Sequence, residues 1–195
     1  MSFIETIAEE NATGATAAMY ATSRSTYGYL PNMVALFGYR PDVFAAWAAL
    51  NAAVKGNMDL RRYELATIAA ARELRSSYCM LAHGKIMLGG LVDEEQLESI
   101  LDDPRSPALT AAERAIMRFA AKVARDASSV EAADVAELRD HGLSEAEIFD
   151  VVAASAMRCF YSKTLDALGA QPDAAYSVLP DGLREKLVVG RAIAG

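Results

Sequence analysis

The chain has 195 residues, enough for one domain with a sizeable core, and 53% of them are apolar. Much of that is alanine along amphipathic stretches rather than a run able to span a bilayer, so no membrane association is expected. A net charge of −7, from 19 Lys and Arg against 26 Asp and Glu, repels phosphate backbones, and RSTYGYLPNM and LRRYELA are too short to form a basic patch, so nucleic-acid binding is disfavoured.

In chain order, helix signals are dense and strand signals nearly absent, which predicts an all-α fold. MSFIETIAEENATG lacks a basic region followed by an apolar block, and two cysteines far apart make no disulfide framework, so a reducing cytoplasm is expected. Tyr27 and Tyr29 flank Gly28 ahead of Leu30-Pro31 and read as turn aromatics. Pro41 opens a helix in which Val43, Trp47, Leu50 and Val54 form a core stripe, ended by Gly56. Asp59 caps the next helix, and Gly89-Gly90 stops the one after that. Asp93 with Gln96, Thr110 with Glu113, and Ser144 with Glu147 fit capping boxes, so three further helices begin there. Ile116, Phe119, Ala120 and Val123 mark the buried face of one of them. DDPRSP, residues 102–107, reads as a linker, and His141 before Gly142 as a helix end. Ile148, Val152, Ser155 and Cys159 recur at helical intervals, which makes Cys159 a core position rather than a resolving thiol.

The stretch ELATIAAARELRSSYCMLAHG brings a carboxyl, a thiol and an imidazole together within twenty residues: Glu64, Cys79 and His83. Cys79 and His83, four apart, share a helix face. Glu64 lies fifteen residues before the cysteine, roughly 22 Å away along one straight helix, so the three can meet only if the chain folds back. Arg75, Ser76 and Ser77 are the place for that break. With Ser76 as the helix cap, Cys79 falls in the first turn, where unpaired N–H groups and the helix dipole favour a thiolate. His83 could then take the thiol proton and Glu64 orient the imidazole or relay protons. The three could also ligate zinc, but a structural site wants a fourth protein ligand, so no metal is expected. No phosphate loop, dinucleotide fingerprint or Ser-His-Asp order is present, and no cofactor is implied.

These residues resemble the signature of the alkylhydroperoxidase D and carboxymuconolactone decarboxylase superfamily, a Glu followed by C-x-x-C-x-x-x-H. Glu64 matches the Glu, Cys79 the second cysteine and His83 the histidine, while Ser76 stands where the first cysteine would be. The likeness runs from about Tyr27 to Asp173 through YGYLPN, LTAAERAIMRFAAKV and LRDHGLSEAEIFDVVAASAMRCFYSKTLDALG, a layout similar to the peroxidase-related branch. It implies an AhpD-like helical fold and a thiol peroxidase that assembles as a homo-oligomer, commonly a trimer or hexamer. It also places Tyr27 and Tyr29 near subunit contacts or a pocket mouth, and Tyr78, beside the motif cysteine, as a possible pocket residue. Serine cannot complete the family's dithiol–disulfide cycle, so a peroxidase reading requires an external thiol to resolve a Cys79 sulfenic acid. The alternatives are a decarboxylase-like enzyme in which His83 and Glu64 handle protons on a small lactone acid, and a non-catalytic oligomeric binder of small ligands.

A weak internal duplication is also legible. Aligning LRRYELATIAAAREL with LTAAERAIMRFAAKV pairs Glu64 with Glu113, and GGLVDEEQLESIL with HGLSEAEIFDVVA pairs Gly90 with Gly142. One domain over 1–195 is expected, with candidate repeat units at about 41–101 and 108–170. Two amphipathic helix pairs with similar caps would look the same.

Overall fold

In the computed structural model, which describes residues 2–195, the described residues form ten α-helices and no strand. They are α1 (Gly14–Tyr27), α2 (Asn32–Leu36), α3 (Pro41–Asn57), α4 (Leu60–Glu73), α5 (Ser77–Leu88), α6 (Glu94–Asp102), α7 (Ala111–Asp126), α8 (Ala132–Asp140), α9 (Glu145–Ala167) and α10 (Asp181–Leu187). Among the described residues no helix is long and apolar enough to cross a membrane.

The caps set the boundaries. The Asp59 side chain accepts from Arg62 N–H, and Asp93, Thr110 and Ser144 each close a complete capping box with Gln96, Glu113 and Glu147. Gly28, Gly90 and Gly142 take left-handed φ values of 80°, 125° and 84°, which end α1, α5 and α8 without the steric cost a Cβ would add.

α4 is the central rod. Every residue from Tyr63 to Ala71 is buried, and the helix packs most extensively on α7, then on α5 and α9. Ala66 and Ala69 pack with Ala115 and Ala120 of α7, and these short side chains let the two helices approach closely. Leu65 and Ile68 are buried in the larger core cluster with residues of α5 and α10; burying each contributes about 2 kcal/mol.

The corner between α4 and α5 lies where the sequence predicts it. Arg75 N–H reaches Arg72 C=O at 3.0 Å and Ser76 N–H reaches Ala71 C=O at 2.9 Å, the paired bonds of a Schellman motif, with Arg75 in the left-handed region at φ 57°. Ser76 is thus the last residue of one motif and the N-cap of α5, its C=O receiving Met80 N–H. The C-terminal segment closes over this corner: Gly190 N–H donates to Ser77 Oγ at 2.7 Å, and Arg75 Nε donates to Val189 C=O at 3.3 Å.

Two expected stripes are corrected. On α3 only Val54 is buried; Val43 and Leu50 are exposed, and Trp47 turns sideways to stack on Tyr161 of α9 at 3.9 Å. On α9 the buried face is rotated from the expected one. Ile148 and Ser155 are inside, but Val152 is exposed and Cys159 only half-buried, its sulfur 3.9 Å from Ala124 C=O of α7. The residues that face inward are Val151, Ala154, Arg158, Tyr161, Ser162 and Leu165, because α9 is held between α4, α7 and α3 rather than on one side alone.

Candidate active site

The turn at Arg75 carries α5 back beside α4, so Glu64 and His83 meet although they lie 19 positions apart. His83 Nδ1 is 2.5 Å from Glu64 Oε2, and Lys55 Nζ, from α3, is 3.5 Å from Glu64 Oε1. Glu64 is wholly buried and the His83 side chain is 12% exposed, so the imidazole is the face of this pair nearer to solvent. Paired with a carboxylate, Nδ1 carries the proton and Nε2 is left as the base. Burial and the nearby Arg158 guanidinium push the His83 pKa below 6.5, outweighing the opposite pull of Glu64. The ring is therefore held neutral at neutral pH.

That shift has a stability consequence with a definite sign. The folded state binds fewer protons at His83 than the unfolded chain does, so stability is lost as pH falls below about 6.5 toward the lower folded value. The slope from this group is at most about 1.4 kcal/mol per pH unit. Denaturant unfolding at pH 7.0 and 5.5 is expected to show the loss in the native protein and a smaller loss in His83→Gln.

Cys79 occupies the third position of α5, in the first turn, and is 2% exposed. Its contacts come from α9 rather than from His83. Ser162 Oγ donates to Sγ at 3.1 Å, and Arg158 Nη1 lies 3.6 Å from it. Arg158 Nη2 lies 3.5 Å from Tyr63 Oη, which donates to Asn51 Oδ1 at 2.6 Å. The Tyr63 ring meets His83 edge-on, centroids 6.4 Å apart, so Tyr63 stands between the sulfur's partners and the Glu64–His83 pair. The site thus has two halves sharing one wall: a sulfur held by Ser162 and Arg158, and a carboxyl–imidazole pair with Lys55.

Arg158, Ser162, Tyr63 and Lys55 were missed in the sequence. One signal was available for the first two: Arg158 and Ser162 sit four apart on a largely apolar helix, and a charged residue at a buried register position is seldom idle.

The other expected residues fall as follows. Ser76 is the N-cap residue of α5, as expected, although its side chain makes no capping bond. Its hydroxyl is buried near Asp166 of α9, whose pKa burial raises, and makes no hydrogen bond among the described residues. Tyr78, expected at a pocket, is a core tether: it is 1% exposed, its hydroxyl donates to Asp173 Oδ2, and Met33 N–H donates to it at 3.1 Å. Burial and Asp173 together push its pKa far up, so it stays a donor. Tyr78→Phe leaves the Met33 N–H and the Asp173 carboxyl short of a partner, and is expected to cost about 2 kcal/mol in chemical denaturation with little change in chemistry at Cys79. Tyr29 shares Asp173, and burial raises its pKa to about 12. A cavity of about 630 Å³ lined by Phe3, Asn32 and Gln171 lies away from Glu64, Cys79 and His83.

Residues 41–122 match the sequence profile of the carboxymuconolactone decarboxylase family. Curated protein sequences give no match. Solved structures resemble the chain over nearly its whole length. One is a peroxidase-related protein from Ralstonia eutropha JMP134 with the alkylhydroperoxidase AhpD core, 21% identical, covering 91% of this chain and 95% of its own, with a TM-score of 0.80. Another is a peroxidase-related protein from Silicibacter sp. TM1040, 21% identical, with coverage of 90% and 91% and a TM-score of 0.75. A third is the debrominase Bmp8, in a cysteine-to-alanine variant complexed with 2,3,4-tribromopyrrole, 18% identical, with coverage of 95% and 100% and a TM-score of 0.77. At these identities the structures speak to the fold, while the profile match spans the segment that holds Glu64, Cys79 and His83. Residues 41–122 are thus similar to the carboxymuconolactone decarboxylase family, and the whole chain has the fold seen in the AhpD-core structures.

Proposed function

We propose that the protein is a single-cysteine thiol peroxidase that reduces small hydroperoxides with an external thiol. The observation that carries this reading is the Cys79 sulfur in the first turn of α5, receiving Ser162 Oγ and facing Arg158, beside a buried Glu64–His83 pair. Helix N-terminus, hydroxyl and guanidinium all favour negative charge on sulfur, and a thiolate is the nucleophile that hydroperoxides oxidise.

The reaction balances as follows. Sγ attacks one peroxide oxygen, an S–O bond forms, the O–O bond breaks, and the other oxygen leaves as an alkoxide that takes a proton from water. Glu64 fixes the neutral imidazole so that its Nε2 can accept a hydrogen bond from that water and orient it, and Lys55 and the exposed edge of His83 connect the pair to solvent. The Cys79 sulfenic acid then condenses with an external thiol, releasing water. A second thiol takes the mixed disulfide apart and restores Cys79. Two thiols are oxidised for each hydroperoxide reduced. Serine at position 76 and the orientation of Cys159 toward α7 are both consistent with a resolving thiol from outside the chain.

One observation favours a second reading. Glu64 and His83 form a closed pair with contacts separate from those of Cys79, which suits proton transfer on a small lactone acid without any sulfur chemistry. An assay that follows hydroperoxide loss and thiol consumption together separates the two. Stoichiometric loss of two thiols per hydroperoxide supports the peroxidase; no consumption of either, with turnover of a lactone acid, supports the decarboxylase.

A further inference from the structure

Arg158 is 2% exposed, yet among the described residues no carboxylate pairs with it. A guanidinium does not shed its proton inside a protein, and a buried charge without a counter-charge is strongly disfavoured. The groups that touch it are few: Cys79 Sγ at 3.6 Å, Tyr63 Oη at 3.5 Å, and the face of the Tyr161 ring at 5.8 Å. Tyr63 already donates its hydroxyl proton to Asn51, and burial raises the pKa of both tyrosines, so neither supplies an anion. His83 is neutral or cationic, never negative, and Glu64 is engaged by His83 and Lys55. Cys79 is what remains.

We propose that Arg158 and Cys79 form a buried guanidinium–thiolate ion pair, with Ser162 as second donor to the sulfur and Tyr63, anchored by Asn51, holding the guanidinium in place. The thiol proton is given up to water as the pair forms. This deepens the peroxidase reading and rests on it only for the use to which the thiolate is put. It also divides the labour of the site. Arg158 keeps the sulfur charged without any proton of its own to lose, which leaves the Glu64–His83 pair free to serve the departing oxygen. Arg158 Nε, buried and without an acceptor in the protein, is a further donor beside the sulfur for charge developing on that oxygen.

The test uses the full chain with Cys159→Ser, so that Cys79 is the sole thiol, and reads the ultraviolet absorbance of thiolate at neutral pH together with the rate of iodoacetamide alkylation. The native site is expected to show a thiolate band that vanishes on unfolding. Arg158→Gln is expected to lose the band and to slow alkylation roughly thirtyfold, the ratio between a full thiolate and the few per cent present in a free thiol at pH 7. Arg158→Lys, which keeps the charge but not the planar fork, is expected to recover much of the band. If the Gln variant does not fold, the native and Lys spectra decide. A native protein without the band, or a folded Gln variant that keeps it, overturns the pair. The failure of the peroxidase reading looks different: an Arg158-dependent thiolate that hydroperoxides leave unoxidised keeps the pair and removes the reaction, whereas peroxide oxidation indifferent to Arg158 does the reverse.

Discussion

Cys79→Ser is expected to abolish thiol-dependent hydroperoxide turnover, a loss of at least about a thousandfold, while the protein stays folded. Serine is close in size to cysteine, and its oxygen can accept the Ser162 and Arg158 contacts that the sulfur accepts now. What it lacks is a polarisable nucleophile able to attack an O–O bond and carry the resulting oxygen as a sulfenic acid. Serine also leaves the buried Arg158 charge without the thiolate that offsets it, so the melting temperature is expected to fall, with the protein still folded at the assay temperature, while the rate drops to background. Cys159→Ser is expected to retain turnover, because Cys159 faces Ala124 of α7 and has no partner in the site. Equal losses in both variants would mean that the second cysteine resolves the first, contrary to the external-thiol reading.

Gly190→Ala should produce the largest loss of stability at the corner that assembles the site. A Cβ at this position would lie 2.2 Å from Arg75 O, a backbone atom fixed by the left-handed turn, so nothing there can move aside cheaply. The substitution must displace the C-terminal segment, breaking the Gly190–Ser77 and Arg75–Val189 hydrogen bonds. A cost of about 3 kcal/mol is expected. For a chain of this length that lowers the melting temperature by about 6–12 °C. Gly84→Ala offers the contrast. Its Cβ would meet the tip of the Leu187 side chain at 2.8 Å, which can rotate, so about half that cost is expected. Similar losses in both would mean that the tail does not brace the corner.

The parts of this structure that local chemistry dictates were legible in the sequence. Asp59, Asp93, Thr110 and Ser144 each satisfy N–H groups within three residues, so the starts of α4, α6, α7 and α9 follow from short-range pattern. The corner at Arg75–Ser77 was marked by a break in an Ala- and Leu-rich run, and from it came the meeting of Glu64 with His83. The sulfur's surroundings were not legible. Arg158 and Ser162 reach Cys79 across 79 and 83 positions, and only the tertiary placement of α9 decides which of its stripes faces inward. The expected stripe of Ile148, Val152, Ser155 and Cys159 has only Ile148 and Ser155 inside, and the buried register carries the polar pair Arg158 and Ser162. Ser76 takes the N-cap position that the motif gives it, whereas the Tyr78 hydroxyl turns to Asp173, which arrives from a distant segment.

The most direct test is peptide mapping by mass spectrometry after a brief exposure to organic hydroperoxide in the presence of dimedone. The arrangement of Cys79 with Ser162, Arg158 and the Glu64–His83 pair predicts a sulfenic-acid adduct on the Cys79 peptide, formed faster than on the peptide of Cys159, and diminished in Arg158→Gln. An adduct confined to Cys159, or a Cys79 peptide that stays unmodified while the protein is folded, would contradict it.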